Sequence, residues 1–265
     1  MSSVRPSAVA GSFYPADAQE LAAVVQRHLA TATTAAPAIA PPPKALIVPH
    51  AGYVYSGPVA ASAYVRLAPA RDSIGRVVLI GPAHYLPIRG LAASGADAFA
   101  TPLGDVPVDR AAIDSLGDLP QVAIRDDAHR REHCLEVQLP FLQTILKQFA
   151  IVPLVVGAAG PDEVHQVIDR LWGGPETLIL ISSDLSHYHD DATARRLDAA
   201  TAAAIEALAP ERIGDERACG RIPIGGLLLS ARARGLHAVT ADLRNSGDTA
   251  GPHGKVVGYG AFLLN

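Results

Sequence analysis

Three predicted strands of this chain run directly into side chains that can bind a metal ion or carry a proton. The run KALIV is followed by His50, RVVLIG by His84, and TLILISS by Asp184 and His187. In open parallel sheets, ligands bind beyond the carboxyl ends of the strands, so we expect these residues to meet at one edge of the fold. A single histidine after a single strand would indicate only a capped turn or a surface residue. The repetition therefore predicts a functional site.

Cys219 adds a thiol to this set. It lies in the segment ACGRIPIGG, a turn that is expected to open a helix with a proline near its start. The helix dipole and the neighbouring Arg221 favour the thiolate, the form that binds metals or attacks carbon. A site that combines imidazoles with a thiolate suits Fe(II), copper or zinc better than magnesium or calcium. A buried, inert thiol is the alternative, and we interpret Cys134 in that way.

Asp184 and His187 form a D-x-x-H pair. On a helical turn this spacing places the carboxylate and the imidazole on one face, where the carboxylate fixes the tautomer of the imidazole and raises its basicity. Capping of a following helix is an alternative that can hold at the same time. His189 is expected at the surface. His133 shares a helix face with Glu136, and the two either reach the cleft as proton carriers or lie on a solvated helix end.

The order of apolar runs predicts the fold. From Lys44 onward, continuous runs of Val, Ile and Leu alternate with helical patterns, which indicates a single α/β domain with a central, largely parallel sheet and helices on both faces. The last two runs, HAVTADL and VVGYGAFLL, alternate more and predict strands nearer an edge. The loop from Ser94 to Asp105 predicts a short hairpin beside the main sheet. Asp17 is expected to cap an N-terminal helix through about His28, and a proline-rich linker, residues 31–43, joins it to the main body.

Composition excludes several classes of partner. The net charge of -4 gives no basic surface for nucleic acid, and no apolar run approaches the length of a membrane helix. The N-terminus has no apolar signal region, and the two cysteines do not suggest a disulfide framework, so we expect a cytoplasmic protein. The phosphate-binding and dinucleotide-binding glycine motifs are absent.

Six motifs occur in an order that resembles the Memo family. They are AGSFYP, PHAGYVYSG, GPAH, EHCLEVQLPFL, SSDLSH and CGRIPIG, and they extend over nearly the whole chain. The family includes the bacterial proteins known as AmmeMemoRadiSam system protein B and is similar in structure to class III extradiol dioxygenases of the LigB type. The resemblance implies a LigB-like fold over residues 1–265. It also implies that His50, His84 and Cys219 bind iron or copper, and that Asp184 and His187 lie in the same pocket.

Three functions follow from these observations. The first is a metal-dependent redox protein, an oxidase or dioxygenase-like enzyme with iron favoured and copper or zinc as alternatives, in which Asp184, His187 and His133 are the catalytic candidates. Its substrate would be a small molecule or a peptide, and the resemblance suggests a radical-SAM partner. The second is a metal-free cysteine hydrolase or amidase that uses Cys219, His187 and Asp184. The third is a non-catalytic binding protein that keeps the pocket.

Overall fold

The computed structural model describes residues 3–35 and 41–265. Within them the strands are β1 (Val4–Arg5), β2 (Ala45–Val48), β3 (Arg76–Pro82), β4 (Leu91–Ala93), β5 (Ala98–Thr101), β6 (Gly104–Pro107), β7 (Val122–Ile124), β8 (Ala150–Val156), β9 (Thr177–Ser182), β10 (His187–His189), β11 (Ala238–Asn245) and β12 (Val256–Leu264). The α-helices are α1 (Ala18–Ala35), α2 (Tyr53–Tyr64), α3 (Arg110–Asp114), α4 (Asp126–Arg130), α5 (Leu139–Ile145), α6 (Pro161–Arg170), α7 (Asp191–Glu206) and α8 (Arg221–Ala233).

One mixed sheet carries the core. Its described strands follow the order β10-β12-β2-β9-β3-β8-β4-β7, and β11 also pairs with β12. The four central strands, β2, β9, β3 and β8, are parallel, whereas β12 and β4 run antiparallel to their neighbours β2 and β8. Nearly every residue of the central strands is buried, which explains their unbroken runs of Val, Ile and Leu. The predicted α/β domain with a largely parallel centre is confirmed.

Helices flank this sheet in three groups. Helices α1, α2 and α5 contact one another, α6 packs on α8, which reaches β3 and β9, and α7 covers β11 and β12. Strands β5 and β6 form an antiparallel hairpin that joins β1 in a small second sheet, as predicted for Ser94 to Asp105. Among the described residues, no helix combines the length and the apolar character that crossing a bilayer requires.

The topology brings three strand ends side by side. Strand β9 lies between β2 and β3, with Val48 of β2 paired to Ser182 of β9. His50, His84 and Asp184 each come two residues after the end of their strand. Because the three strands are parallel neighbours, these residues emerge at the same edge of the sheet.

The N-terminal helix is longer than predicted. Asp17 caps it, since its carboxylate accepts the backbone N–H groups of Gln19 and Glu20 at 2.9 Å each. The helix continues to Ala35, and so takes in the first residues of the predicted linker. These first residues of the linker, TATTA, contain no proline, so nothing in them removes a backbone donor of the helix. The remainder of the linker includes residues 36–40, which lie outside the described residues.

The segment SSDLSH does not start a helix. It leads into the short strand β10, and α7 begins only at Asp191, capped by the side chain of Asp190, which accepts the N–H of Thr193 at 3.0 Å. The helical-turn geometry expected for Asp184 and His187 is therefore wrong. The reason is tertiary: the backbone of this segment pairs with β12, where Leu185 donates to the carbonyl of Gly258 at 2.8 Å.

Candidate metal centre

Three histidines meet beyond the strand ends. Nitrogen atoms of His50, His84 and His133 lie within 4.8 Å of one another. The ring centroids are 5.1 Å apart for His50 and His84, 5.4 Å for His50 and His133, and 4.6 Å for His84 and His133. The structure thus brings His133, which the sequence suggested as a proton carrier, into the same group as the two proposed metal ligands.

His50 is the most firmly held of the three. It is 2% exposed, and its backbone N–H donates to the carboxylate of Asp184 at 2.7 Å. Its Nδ1 lies 2.9 Å from the hydroxyl oxygen of Ser182. Asp184 therefore positions the backbone of a neighbouring strand end, which is a different role from the pairing with His187 that the sequence suggested.

His84 is oriented by a carboxylate. Its Nδ1 lies 2.8 Å from Oε1 of Glu132, and its backbone N–H donates to Oε2 of the same group at 2.7 Å. Because a carboxylate only accepts, Nδ1 carries the proton and Nε2 keeps its lone pair. Burial alone would raise the pKa of Glu132, but hydrogen bonds from the side chain and backbone of His84 and from the backbone of Cys134 together lower it to about 2. Glu132 is thus ionised where it contacts Nδ1 of His84.

His133 follows Glu132 directly and packs between aromatic rings. The centroid of Phe13 lies 4.8 Å from that of His133 on one side, and Tyr85 lies 5.8 Å away. Its Nδ1 is buried and has no hydrogen-bond partner among the described residues; Oε1 of Glu132 is 3.3 Å away, but not in hydrogen-bonding geometry. A buried imidazole nitrogen without a partner is costly unless a ligand or ion satisfies it.

The thiol of Cys219 contacts one of these three histidines, His50. Its sulfur lies 3.4 Å from Nε2 of His50. The turn before α8 is fixed to the strand end, because the N–H of Cys219 donates to the carbonyl of Asp184 at 3.3 Å and that of Gly220 donates to the hydroxyl of Ser183 at 2.9 Å. Cys219 also lines a second, smaller cavity together with His187 and His189.

The metal-free site holds neutral donors. Burial, followed by the electrostatic effect of the neighbouring His84, lowers the pKa of His50 to about 3, and burial also lowers the pKa of His133 to about 4. Burial and the carboxylate of Asp184 raise the pKa of Cys219 to about 12. The sequence-based expectation of a favoured thiolate is therefore wrong for the metal-free protein. One reason is that Arg221 pairs with Asp215 at 2.8 Å instead of with the thiol.

A cavity of about 520 Å³ opens over the histidines. Its wall includes the rings of Phe13, Tyr55, Tyr188 and Tyr259, and Lys255 contributes a cationic group. Asp184 and His187 also line it, although no hydrogen bond joins their side chains in the described part of the chain. Burial raises the pKa of Asp184. The cavity is large enough for a small organic molecule.

Glu136 lies away from the cleft. Its carboxylate is fully buried and forms an ion pair with Arg5, accepts the hydroxyl of Tyr14 at 2.5 Å, and accepts the N–H groups of Ala8 and Val9 at 2.7 and 3.0 Å. The proton-carrying role considered for Glu136 is therefore wrong. It anchors the N-terminal segment that delivers Phe13 to His133. His189, expected at the surface, is half-buried beside the second cavity.

One donor pair, His50 and Cys219, has the spacing of two ligands of a single transition-metal ion, whereas the group whose ligand atoms all lie within 4.8 Å of one another is His50, His84 and His133. Two ligands at about 2.0 Å (nitrogen) and 2.3 Å (sulfur) from one tetrahedral ion would lie about 3.5 Å apart, close to the 3.4 Å between His50 and Cys219. A second group of possible ligands, His84, Glu132 and Cys134, is better explained by hydrogen bonding, because Glu132 already accepts the N–H groups of His84 and Cys134.

Comparison with known proteins decides the family. The family model of Memo-like proteins matches residues 5–263. The chain belongs to this family.

Curated relatives of this Memo-like protein match nearly its full length. A MEMO1 family protein of Aquifex aeolicus is 36% identical, with 97% of each chain covered, and one of Ignicoccus hospitalis is also 36% identical with 97% of each chain covered. The crystal structure of an uncharacterized protein from Escherichia coli K12 has a TM-score of 0.54 at 11% identity and covers 83% of this chain and 98% of the other. That likeness shows a common fold.

Sequence reasoning missed the residues behind the histidines. Glu132 holds His84, and Ser182 and Gln138 lie behind His50. Glu132 directly precedes His133 and Cys134, and an acid beside a candidate ligand was a signal that could have been used. Gln138 gave no such signal, because its role depends on contacts with residues that are distant in sequence.

Proposed function

We propose that this Memo-like protein is a metal-dependent redox protein whose ion is held by His50, His84 and Cys219. The observation that supports it most is convergence: donors from three separate segments lie at one edge of the sheet, and the sulfur of Cys219 lies 3.4 Å from Nε2 of His50. His133 is a further ligand candidate, since it belongs to the same group of histidines and its Nδ1 is buried without a partner among the described residues. The large cavity above them would receive the substrate.

The metal would be iron or copper, with zinc as a non-redox alternative. Neutral imidazoles and one thiol form a mixed set that suits these ions and not magnesium or calcium. A bound iron or copper ion would supply Lewis acidity and one-electron redox chemistry. The thiol of Cys219 would lose its proton on binding, because thiolate is the form that ligates metals.

The chain itself would contribute positioning and proton handling. Glu132 orients His84, and the carboxylate of Asp184 fixes the backbone of His50. His187 lines the large cavity and is half-buried, so it can exchange protons with a bound molecule. The aromatic wall would exclude water from a small organic substrate or a peptide side chain.

Metal analysis tests this proposal. Protein expressed and purified without chelators is expected to carry about one iron or copper ion per chain, measured by elemental mass spectrometry. We expect His50→Ala, His84→Ala and Cys219→Ala each to lose most of it, while the exposed His237→Ala keeps it. Near-ultraviolet circular dichroism identifies variants that have lost their fold. Folded wild-type protein that stays empty when supplied with iron, copper and zinc would refute the proposal.

The cysteine hydrolase is less well supported by the geometry. Its base would be His187, yet the imidazole nitrogen near the thiol belongs to His50. The raised pKa of Cys219 also opposes nucleophilic attack. The same metal analysis separates the two functions, since the hydrolase would be metal-free and would be inactivated by thiol reagents.

A further inference from the structure

A series of hydrogen-bonded, buried polar side chains lies behind His50. Tyr64, Gln138 and Ser182 lie behind it, and each is at most 1% exposed. The hydroxyl of Tyr64 donates to Oε1 of Gln138 at 2.7 Å, and Nε2 of Gln138 lies 2.8 Å from the hydroxyl oxygen of Ser182. Nδ1 of His50 lies 2.9 Å beyond. The series has no solvent access along its length, so its hydrogen bonds have defined directions.

The donor and acceptor of each hydrogen bond can be assigned by starting from Gln138. Its Nε2 lies 3.0 Å from the backbone carbonyl of Pro49. A carbonyl oxygen only accepts, so the nitrogen end of the amide must face it, and this fixes the orientation of the side chain. The second proton on Nε2 then points to Ser182, whose hydroxyl oxygen accepts it.

The hydrogen bonds of Ser182 in turn determine which nitrogen of His50 carries the proton. A hydroxyl has one proton and two lone pairs. The proton goes to the backbone carbonyl of Cys134 at 2.7 Å, since that oxygen can only accept. One lone pair is taken by Gln138, and the other is left for His50. The only group that His50 can offer to a lone pair at 2.9 Å is an N–H, so Nδ1 carries the proton.

We propose that Ser182 and Gln138 are positioning residues that hold His50 in the tautomer with the proton on Nδ1, so that Nε2 presents its lone pair toward Cys219. The opposite tautomer would leave the buried carbonyl of Cys134 without its donor. At His84 the tautomer is fixed by a carboxylate, that of Glu132, instead of by a hydroxyl. The assignment of the tautomer depends only on the hydrogen bonds. Its consequence for metal binding rests on the proposed function.

The tautomer can be read directly in metal-free protein. Long-range proton–nitrogen correlation spectra of protein labelled with ¹⁵N-histidine distinguish a protonated Nδ1 from a protonated Nε2. Assignment of His50 by comparison with His50→Gln is expected to show a proton on Nδ1 and none on Nε2. A proton on Nε2 in the wild-type protein would overturn the inference, whether or not the protein binds metal.

Ser182→Ala tests the role of the hydroxyl, and Ser186→Ala is its matched control. Ser186 is equally buried four residues along the same segment, and its hydroxyl has no hydrogen-bond partner among the described residues. We expect Ser182→Ala to lose the tautomer preference and to bind metal about 10- to 100-fold more weakly, while Ser186→Ala changes neither. If Ser182→Ala keeps the same tautomer, Ser182 is not the residue that sets it.

The two proposals fail in different ways. Wild-type protein that shows the expected tautomer and binds no metal would refute the proposed function and leave the tautomer in place. Protein that binds metal, yet carries its proton on Nε2 when metal-free, would refute the positioning role alone. Should Ser182→Ala not fold, the wild-type spectrum still decides the tautomer, and Ser182→Thr, which keeps the hydroxyl, is expected to retain it.

Discussion

The sulfur of Cys219 lies 3.4 Å from Nε2 of His50, although 169 positions separate the two residues in the chain. The contact depends on two anchors. Asp184 accepts the backbone N–H of His50 through its side chain and that of Cys219 through its carbonyl. Asp184, two residues after the end of β9, therefore holds the backbones of both residues.

Cys219 is expected to be a slow nucleophile in metal-free protein. Its pKa of about 12 leaves about 1,000-fold less thiolate at pH 8 than in an unfolded chain, so alkylation by iodoacetamide should be slower than in urea by more than about 100-fold. The rate should rise as the pH increases toward 12. Mass spectrometry of the Cys219 peptide measures it. A native rate equal to the unfolded rate would instead indicate a stabilised thiolate and would favour the hydrolase.

Metal-free protein is expected to lose stability as the pH falls below about 6.5. The pKa values of His50 and His133 are lowered to about 3 and 4, so the unfolded chain binds protons that the folded chain does not. Their contribution is complete above the unfolded pKa and is lost as the pH falls, by at most about 1.4 kcal/mol per pH unit for each histidine.

Urea unfolding between pH 7 and pH 5 measures this slope. We expect the free energy of unfolding of His133→Gln to depend less steeply on pH than that of the wild type, by the equivalent of about one proton taken up on unfolding. His237→Gln, at an exposed position, should keep the wild-type slope. Equal slopes for all three proteins would show that His133 is protonated in the folded state.

Glu132→Gln is expected to lower both stability and metal affinity. Both carboxylate oxygens of Glu132 accept hydrogen bonds from N–H groups of His84 and Cys134, but an amide has only one accepting oxygen. At least one of these buried N–H groups would therefore lose its acceptor. We expect a loss of about 2 to 4 kcal/mol in the free energy of unfolding and of about 10- to 100-fold in metal affinity. Urea unfolding and metal titration measure the two effects. The exposed Glu20→Gln should change neither.

Gly220→Ala is expected to displace the Cys219 turn. A Cβ at Gly220 would lie 2.6 Å from Cβ and 2.7 Å from Oγ of Ser183, and relieving this overlap should cost about 1 to 3 kcal/mol. Gly254→Ala is the control, because a Cβ there meets nothing within 4 Å. Thermal unfolding and metal content measure the effect. Wild-type metal content in Gly220→Ala would show that the position of this turn does not matter for binding.

The strands that position the site could be predicted from the sequence, but the residues that hydrogen-bond to its histidines could not. Continuous apolar runs predicted the parallel centre, and the rule for strand ends predicted that His50, His84 and Asp184 would emerge together. The D-x-x-H spacing was misread as helical, because pairing of that segment with β12 is a tertiary effect. The thiolate expectation for Cys219 failed because burial and the nearby Asp184 outweigh the helix dipole.

The adjacency of β2, β9 and β3 also determines when in folding the proposed metal ion could bind. The donors come from segments that are far apart along the chain and become neighbours only after the parallel strands have paired, a slow step with a large entropic cost of loop closure. The proposed ion would therefore not nucleate this fold, as an ion does in small zinc domains. The apoprotein would form first, and metal binding would follow the completion of the fold.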